Sequence, residues 1–296
     1  MENGKIYLVA TPIGNLEDIT IRAINTLKGV DIIAAEDTRH TLKLLNHLEI
    51  SKPLIRYHRH NEDIKTDELI KLIKEGKNIA VVTDAGTPGI SDPGEQIVKA
   101  AIKENIEIIP IPGACAAINA LIASGLNTKE FIFYGFLPLN NKLRKEKFED
   151  IARQKKTIII YEAPHRLIDT LKELKEKFGN IHVVVAKEIT KIHEQFIRGD
   201  VEEILEEIEN PKGEYIILFE INGKSEKEEI EEKIKQKSIE EQYEYYRNLG
   251  LNKKETIKQI AQNVGVRKDE IYKKFINKYW INFYVKVQSI KTKGGK

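Results

Sequence analysis

Residues 78–94 read NIAVVTDAGTPGISDPG and leave few folds open. The apolar run Ile79–Val82 reads as a buried strand. Asp, Gly, Thr and Pro, all turn formers, follow it. Helical spacing then resumes over Glu95–Asn105, so the order is strand, long irregular loop, helix. In an open α/β sheet such a loop lies at the carboxyl end of a strand, where ligands bind. Its glycines, Gly86, Gly89 and Gly94, let backbone come close to a ligand. It carries Asp84 and Asp92 and no Lys or Arg, which argues against a polyphosphate and suits a neutral or cationic ligand.

The same alternation runs through the first part of the chain. Strands are expected over Lys5–Ala10, Asp31–Ala35, Pro53–Tyr57 and Glu107–Ile111, with helices over Ile19–Lys28 (capped by Asp18), Thr41–Leu48 and Asp63–Lys74. This implies a largely parallel sheet covered by helices. A second unit begins near Gly113 with a small apolar helix, Ala114–Ser124. Strands are expected at Phe131–Phe136, Thr157–Tyr161, His182–Ala186, Gln195–Arg198 and Glu214–Ile221, with helices at Arg144–Arg153, Arg166–Lys177 and Val201–Ile208. That density of strands predicts a mixed sheet. Asn222–Glu229 is a polar junction without apolar periodicity, followed by helices near Ile239–Asn248, Lys253–Val264 and Lys268–Tyr279. The expected domains are therefore 1–112, 113–223 and 224–296, the last a small helical module. The pair around Gly265 resembles a helix-turn-helix, with Ala261 before the glycine and Arg267, Lys268, Lys273 and Lys274 on or beside the second helix. A helical hairpin that packs on its own body is the other reading.

Charge separates the ends of the chain. Residues 245–296 hold 13 Lys and Arg against 3 Asp and Glu, a net +10, which leaves −8 for residues 1–244 of the overall +2. A basic end on an acidic body points to an anionic macromolecular partner, although a solvated lysine-rich tail has the same composition. The single cysteine, Cys115, rules out an intramolecular disulfide and a Cys-rich metal site and fits a reducing compartment. No signal peptide is expected, and no apolar stretch approaches the roughly 20 residues of a spanning helix, so a cytoplasmic location without membrane partners is expected.

Several strands end in unusual loops: TPIGNL from Thr11, EDTR from Glu36, Thr83–Gly94, Pro112-Gly113-Ala114 and YEAPHR from Tyr161. Singly each is weak; together they describe a crevice lined with backbone. Neither G-x-x-x-x-G-K-[ST] nor a G-x-G-x-x-G after the first strand is present, which lowers ATP, GTP and NAD as ligands. His193 with Glu188 and Glu194 lacks H-E-x-x-H spacing, so no metal is expected. Cys115 follows a Pro-Gly turn at a helix N-terminus; that position could lower a thiol pKa, but a small residue packed near a ligand is the simpler reading.

In order along the chain, TPIGNLEDIT, AAEDTRHT, TDAGTPGISDPG, IPGACAA, FYGFLP, YEAPHR, KEITKIHE and KGEYIILF resemble the small-subunit ribosomal RNA methyltransferases of the tetrapyrrole methylase superfamily. The resemblance covers roughly residues 5–221 and continues into the helical module. It implies two α/β domains with S-adenosylmethionine bound in the cleft between them, a homodimer, and 2′-O-methylation of a decoding-centre cytidine in 16S rRNA of the small ribosomal subunit. By motif position it implies that Pro12, Gly14, Asp84, Gly86, Thr87, Ile90 and Ala116 lie beside the cofactor, with Phe136, Tyr161 and Ala186 facing it from the second domain. The chain departs from the pattern at Ala114-Cys115, where Pro-Ser is commoner, at Ala163 (Ser) and at Lys187-Glu188-Ile189 (Arg-Glu-Leu).

Methyl transfer to a hydroxyl needs alignment and removal of a proton. The resemblance supplies no base. Glu36, Asp37, Arg39, Glu162, His165 and Arg166, with Lys191 and His193, are the polar candidates in the crevice loops. Two other functions are open at this point. One is methylation of a tetrapyrrole or a protein side chain on the same fold, against which stand the basic module and the clusters Arg56–His60 and Lys142–Lys147. The other is a DNA-binding protein that senses the cofactor.

Overall fold

A computed structural model describes residues 3–221, 234–235 and 237–273. Among these the strands form two five-stranded sheets, and the chain divides into two compact units, residues 1–222 and 223–296.

The first sheet is built from β1 (Ile6–Val9), β2 (Ile32–Ala35), β3 (Leu54–Arg56), β4 (Ile79–Val82) and β5 (Ile108–Ile111). Its order is β3-β2-β4-β1-β5 and every pairing is parallel, so all five carboxyl ends lie along one edge. Side chains alternate between its faces. Ile6, Ile79 and Val81 pack against α3 (Glu62–Lys74) and α4 (Glu95–Lys103); Val9, Ala80 and Val82 pack against α1 (Ile21–Gly29) and α2 (Thr38–His47).

Two helix starts differ from expectation. Thr20, not Asp18, caps α1, its hydroxyl accepting the Ala23 N–H; Asp18 instead ends a 3₁₀ turn, Leu16–Asp18, that Asn15 caps. A β-branched Thr beside two acidic residues hides this start. The second helix begins three residues before the expected Thr41, because Asp37 accepts the Arg39 N–H and caps it.

The second sheet contains β6 (Phe131–Phe136), β7 (Thr157–Glu162), β8 (His182–Lys187), β9 (Gln195–Asp200) and β10 (Tyr215–Glu220) in the order β6-β7-β10-β8-β9. It is mixed: β6 and β7 are parallel, and the remaining pairings are antiparallel. One face carries α5 (Ala116–Ser124); the other carries α6 (Asn141–Ile151), α7 (Pro164–Phe178) and α8 (Val201–Glu207).

In the second unit, α9 (Ile239–Asn248) and α10 (Lys253–Val264) each open with a capping box, Ser238 with Glu241 and Asn252 with Glu255. Gly265 ends α10 at φ +73°, and a further helix runs over residues 268–273. Ile234, Tyr246, Ile257, Ile260, Ala261 and Ile271 form its core. The expected junction Asn222–Glu229, the rest of the Lys268–Tyr279 helix, Lys274 and the chain beyond lie outside the described residues. Among the described residues no helix is long and apolar enough to cross a membrane.

Candidate active site

The carboxyl ends of β2, β4, β6 and β7 and the amino end of β10 surround a cavity of about 470 Å³. Backbone and hydroxyl latches shape it. Thr11 and Gly86 exchange backbone hydrogen bonds at 2.9 and 3.0 Å, tying the loop after β1 to the loop after β4. The Thr11 hydroxyl donates to the Thr83 carbonyl at 3.1 Å, and the Thr87 hydroxyl donates to the Ala114 carbonyl, also at 3.1 Å. Three loops that look unremarkable singly are thereby one rigid rim.

One wall is acidic. Glu36, Asp84 and Asp92 line it, and among the described residues the cavity lining contains no Lys or Arg. The Asp84 N–H donates to Glu36 Oε2 at 3.3 Å, and the Asp37 N–H donates to Asp84 Oδ1 at 3.0 Å. Burial raises the Glu36 pKa, with the Asp84 charge adding to the rise and the Asp84 N–H opposing it. Burial, then the Glu36 charge, pushes Asp92 up to about 6, against the attraction of Arg59.

The other wall is apolar and aromatic. Tyr161 stands edge-on to Phe133 and Phe136, with ring centroids 4.8 and 5.7 Å apart. Its hydroxyl accepts the Ala117 N–H at 3.1 Å, and burial lifts its phenol to about 12. Ile13, Ile90, Ile189 and Ile216 complete the wall. This donor set fits S-adenosylmethionine: carboxylates face a cation, and an apolar wall faces a planar base.

Of the residues expected at the cofactor, Asp84, Gly86, Thr87, Ile90, Ala116, Phe136 and Tyr161 line the cavity. Pro12, Gly14 and Ala186 do not. A Cβ on Gly14 would overlap Lys191, whose ammonium bridges Glu188 and Glu214 at 2.9 Å each, so this glycine admits a neighbouring loop. Ala186 is buried in the core beneath α5.

The polar candidates separate in the same way. Glu36 and Glu162 line the cavity; Asp37, Arg39, His165 and Arg166 do not. The Glu162 side chain has no exposure and accepts from the Ala163 N–H (2.9 Å), the Thr170 hydroxyl (2.6 Å) and Arg166 (3.3 Å) at the start of α7. Arg166 also donates to the Leu137 carbonyl at 2.9 Å. Arg39 grips Asp37 at 2.7 Å, and these hydrogen bonds hold the Asp37 carboxyl far below its usual range. His165 and His193 are exposed, and Glu188 and Glu194 accept from Lys191 and the Thr190 N–H. Cys115 occupies the N-cap position of α5 without a side-chain cap hydrogen bond, lines the cavity and packs against the core of the second sheet.

Sequence reasoning noted Asp92 as an acidic residue of the 78–94 loop but assigned neither it nor Ser91 a role at the site; both line the cavity. It also passed over Glu214, Tyr215 and Ile216. They belong to the motif KGEYIILF, but nothing local marks them as cavity lining. They reach the cavity because β10 runs antiparallel to β7, which brings its amino end to the edge where β7 ends.

The family model for tetrapyrrole (corrin/porphyrin) methylases matches residues 5–205. The chain is 51% identical over 274 residues to ribosomal RNA small subunit methyltransferase I of Halalkalibacterium halodurans, covering 92% of this chain and 94% of that protein. It is 46% identical to the protein of that name from Synechocystis sp., with 91% and 96% covered, and 45% identical to that of Bacillus subtilis, with 91% and 93% covered. Among solved structures, a diphthine synthase superposes with a TM-score of 0.59 at 12% identity, over 73% of this chain and 90% of that one. A uroporphyrin-III-C-methyltransferase from Thermus thermophilus gives 0.51 at 22% identity, over 74% and 96%. These two likenesses concern the fold. The close relatives share the chain almost end to end, well beyond residue 205, and so the chain belongs to the tetrapyrrole methylases and, among them, to the ribosomal RNA small subunit methyltransferase I family.

Proposed function

We propose that this chain transfers a methyl group from S-adenosylmethionine to the ribose 2′-oxygen of a decoding-centre cytidine in 16S rRNA. The observation that carries this is the 51% identity with a small-subunit ribosomal RNA methyltransferase over 92% of the chain. The cavity supports it, with carboxylates for a sulfonium and no Lys or Arg among its described lining residues. S-adenosylmethionine supplies an electrophilic methyl group when bound. Asp84, Gly86, Thr87, Ile90, Ala116, Phe136 and Tyr161 are the residues we assign to holding it. Pro12, Gly14 and Ala186 are assigned to shaping the loops around it. Glu36 faces the charged part of the ligand, and Glu162, Arg166, Asp37 and Arg39 fix the loops that carry the lining.

The reading has further parts. Residues 1–112 and 113–223 act as two α/β domains that close on the ligand, and 224–296 binds the subunit. No metal takes part, since displacement at a sulfonium methyl requires alignment and proton removal only. The protein works in the cytoplasm as a homodimer without membrane attachment; the exposed Ile118 and Ile122, one turn apart on α5, are apolar surface for a second copy to cover.

The test uses tritiated S-adenosylmethionine and small subunits from cells lacking the enzyme. Label should enter 16S rRNA and survive alkaline hydrolysis in a dinucleotide, and S-adenosylhomocysteine binding by the protein alone should be unchanged in chelator. Label in a protein or a small molecule instead of the rRNA would overturn the reading.

A further inference from the structure

The segment Ser91–Gly94 is held more firmly than a surface loop requires. Ser91 has φ +64°, a conformation that costs free energy for a residue with a Cβ and that clusters at functional sites. Arg59, from the turn after β3, donates to the Ser91 carbonyl at 2.7 Å. The Gly89 N–H donates to the Pro93 carbonyl at 3.1 Å, and the Gly94 N–H donates to Glu62 at 2.9 Å. From the other side β6 presents a bulge at Gly135, where a Cβ would lie 3.2 Å from Ser91 Oγ. Both sheets therefore brace the residue between them, Asp92.

The other carboxylates of the lining are engaged. Glu36 accepts the Asp84 N–H, Asp84 accepts the Asp37 N–H, Glu162 is saturated, and Glu214 holds Lys191. Among the described residues Asp92 has no hydrogen-bond or ion-pair partner, although it is half-buried and faces the cavity.

We propose that Asp92 is the general base that takes the proton from the ribose hydroxyl; this rests on the 2′-O-methylation reading given above. As the hydroxyl oxygen bonds to the methyl carbon, the carbon–sulfur electron pair goes to sulfur. The hydroxyl proton passes to an Asp92 oxygen and then to water. The groups that face Asp92 are Glu36 from the end of β2, Asp84 from the loop after β4, Arg59 from the turn after β3 and Tyr161 from β7. Burial and the two carboxylates lift its proton affinity to about 6, close to the pH at which a base works best. Tyr161, lifted to about 12, keeps its own proton and cannot compete.

The experiment is single-turnover methylation of small subunits at saturating S-adenosylmethionine from about pH 5 to about pH 8. Affinity for S-adenosylhomocysteine is measured in parallel by titration calorimetry. Wild-type rates should rise about tenfold per pH unit below about 6 and then level. Asp92→Asn should be slower by a factor on the order of a hundred, lose the acid limb and keep S-adenosylhomocysteine affinity within about threefold. A variant rate near wild type, an acid limb that survives the substitution, or a loss of product affinity matching the loss of rate would each overturn the proposal. A wild-type protein that does not methylate subunits at all would refute the parent reading and this one with it.

Discussion

Glu162 shows how a residue can sit at a site and belong to the scaffold. Each of its oxygens already has a protein donor, and removing a partner from a buried ion pair costs about 3–5 kcal/mol because the remaining charge stays buried. We expect Glu162→Ala to lower the unfolding free energy by about 3 kcal/mol in urea titrations, by that same principle. The fraction that remains folded should transfer methyl groups at an ordinary rate. Asp92 has the opposite character. Its carboxyl is raised by burial and by Glu36 and Asp84, so the folded state favours the protonated form. Such a group stabilises the fold below its unfolded value near 4, and that contribution is lost as pH rises through about 6. Glu36, also raised, acts in the same direction. Asp92→Asn should therefore melt at a higher temperature than wild type above about pH 6, and the two should converge near pH 4. A melting temperature for Asp92→Asn that falls below wild type at neutral pH would show that the carboxylate is stabilised by something other than these neighbours.

At the scale of elements, the bulge in β6 links the second sheet to the loop of the first. Gly135 has φ +61°, and a side chain there would press on Ser91. Gly179 after α7 has φ +78° and ψ −164°, a region essentially reserved for glycine, with open space around it, so Ala at that position meets backbone strain alone, about 1–3 kcal/mol. Gly135→Ala and Gly179→Ala should thus destabilise to a similar degree, while only Gly135→Ala weakens S-adenosylhomocysteine binding, by several-fold in calorimetry. Equal affinities in the two variants would separate the bulge from the site. The strands themselves were legible in the residues: Ile79–Val82 and Phe131–Phe136 lie where their apolar runs put them, since a buried strand declares itself by composition. Helix starts were less legible, as Thr20 and Asp37 show, because a cap is chosen by local geometry among several competent side chains. The place of Glu214–Ile216 in the cavity lining was not legible, although the motif KGEYIILF contains them. It depends on the direction of β10 within the sheet, which no neighbouring residue encodes.

For the whole molecule, the separation of charge is the feature to test. Every described lining residue of the cavity belongs to the unit 1–222, whereas the exposed cations Lys254, Lys258, Arg267 and Lys268 belong to the unit 223–296. A protein lacking residues 223–296 should bind S-adenosylhomocysteine within about threefold of the full chain, since every described residue that lines the cavity is retained. Its affinity for small subunits should fall by at least about tenfold at low salt. Binding of the full chain should weaken steeply as salt rises, and the slope should shrink in the truncated protein by roughly 0.7–0.9 for each phosphate that the missing unit would neutralise. A footprint of that breadth also favours an assembled subunit over a short oligonucleotide, because one active-site nucleotide offers few phosphates to a unit carrying this much charge. Methylation of a short decoding-centre RNA should therefore be slower than that of the subunit, and deleting the basic unit should narrow the gap. If the truncated protein keeps full subunit affinity with an unchanged salt slope, the cations of the second unit are solvated and the 1–222 unit alone recognises the RNA.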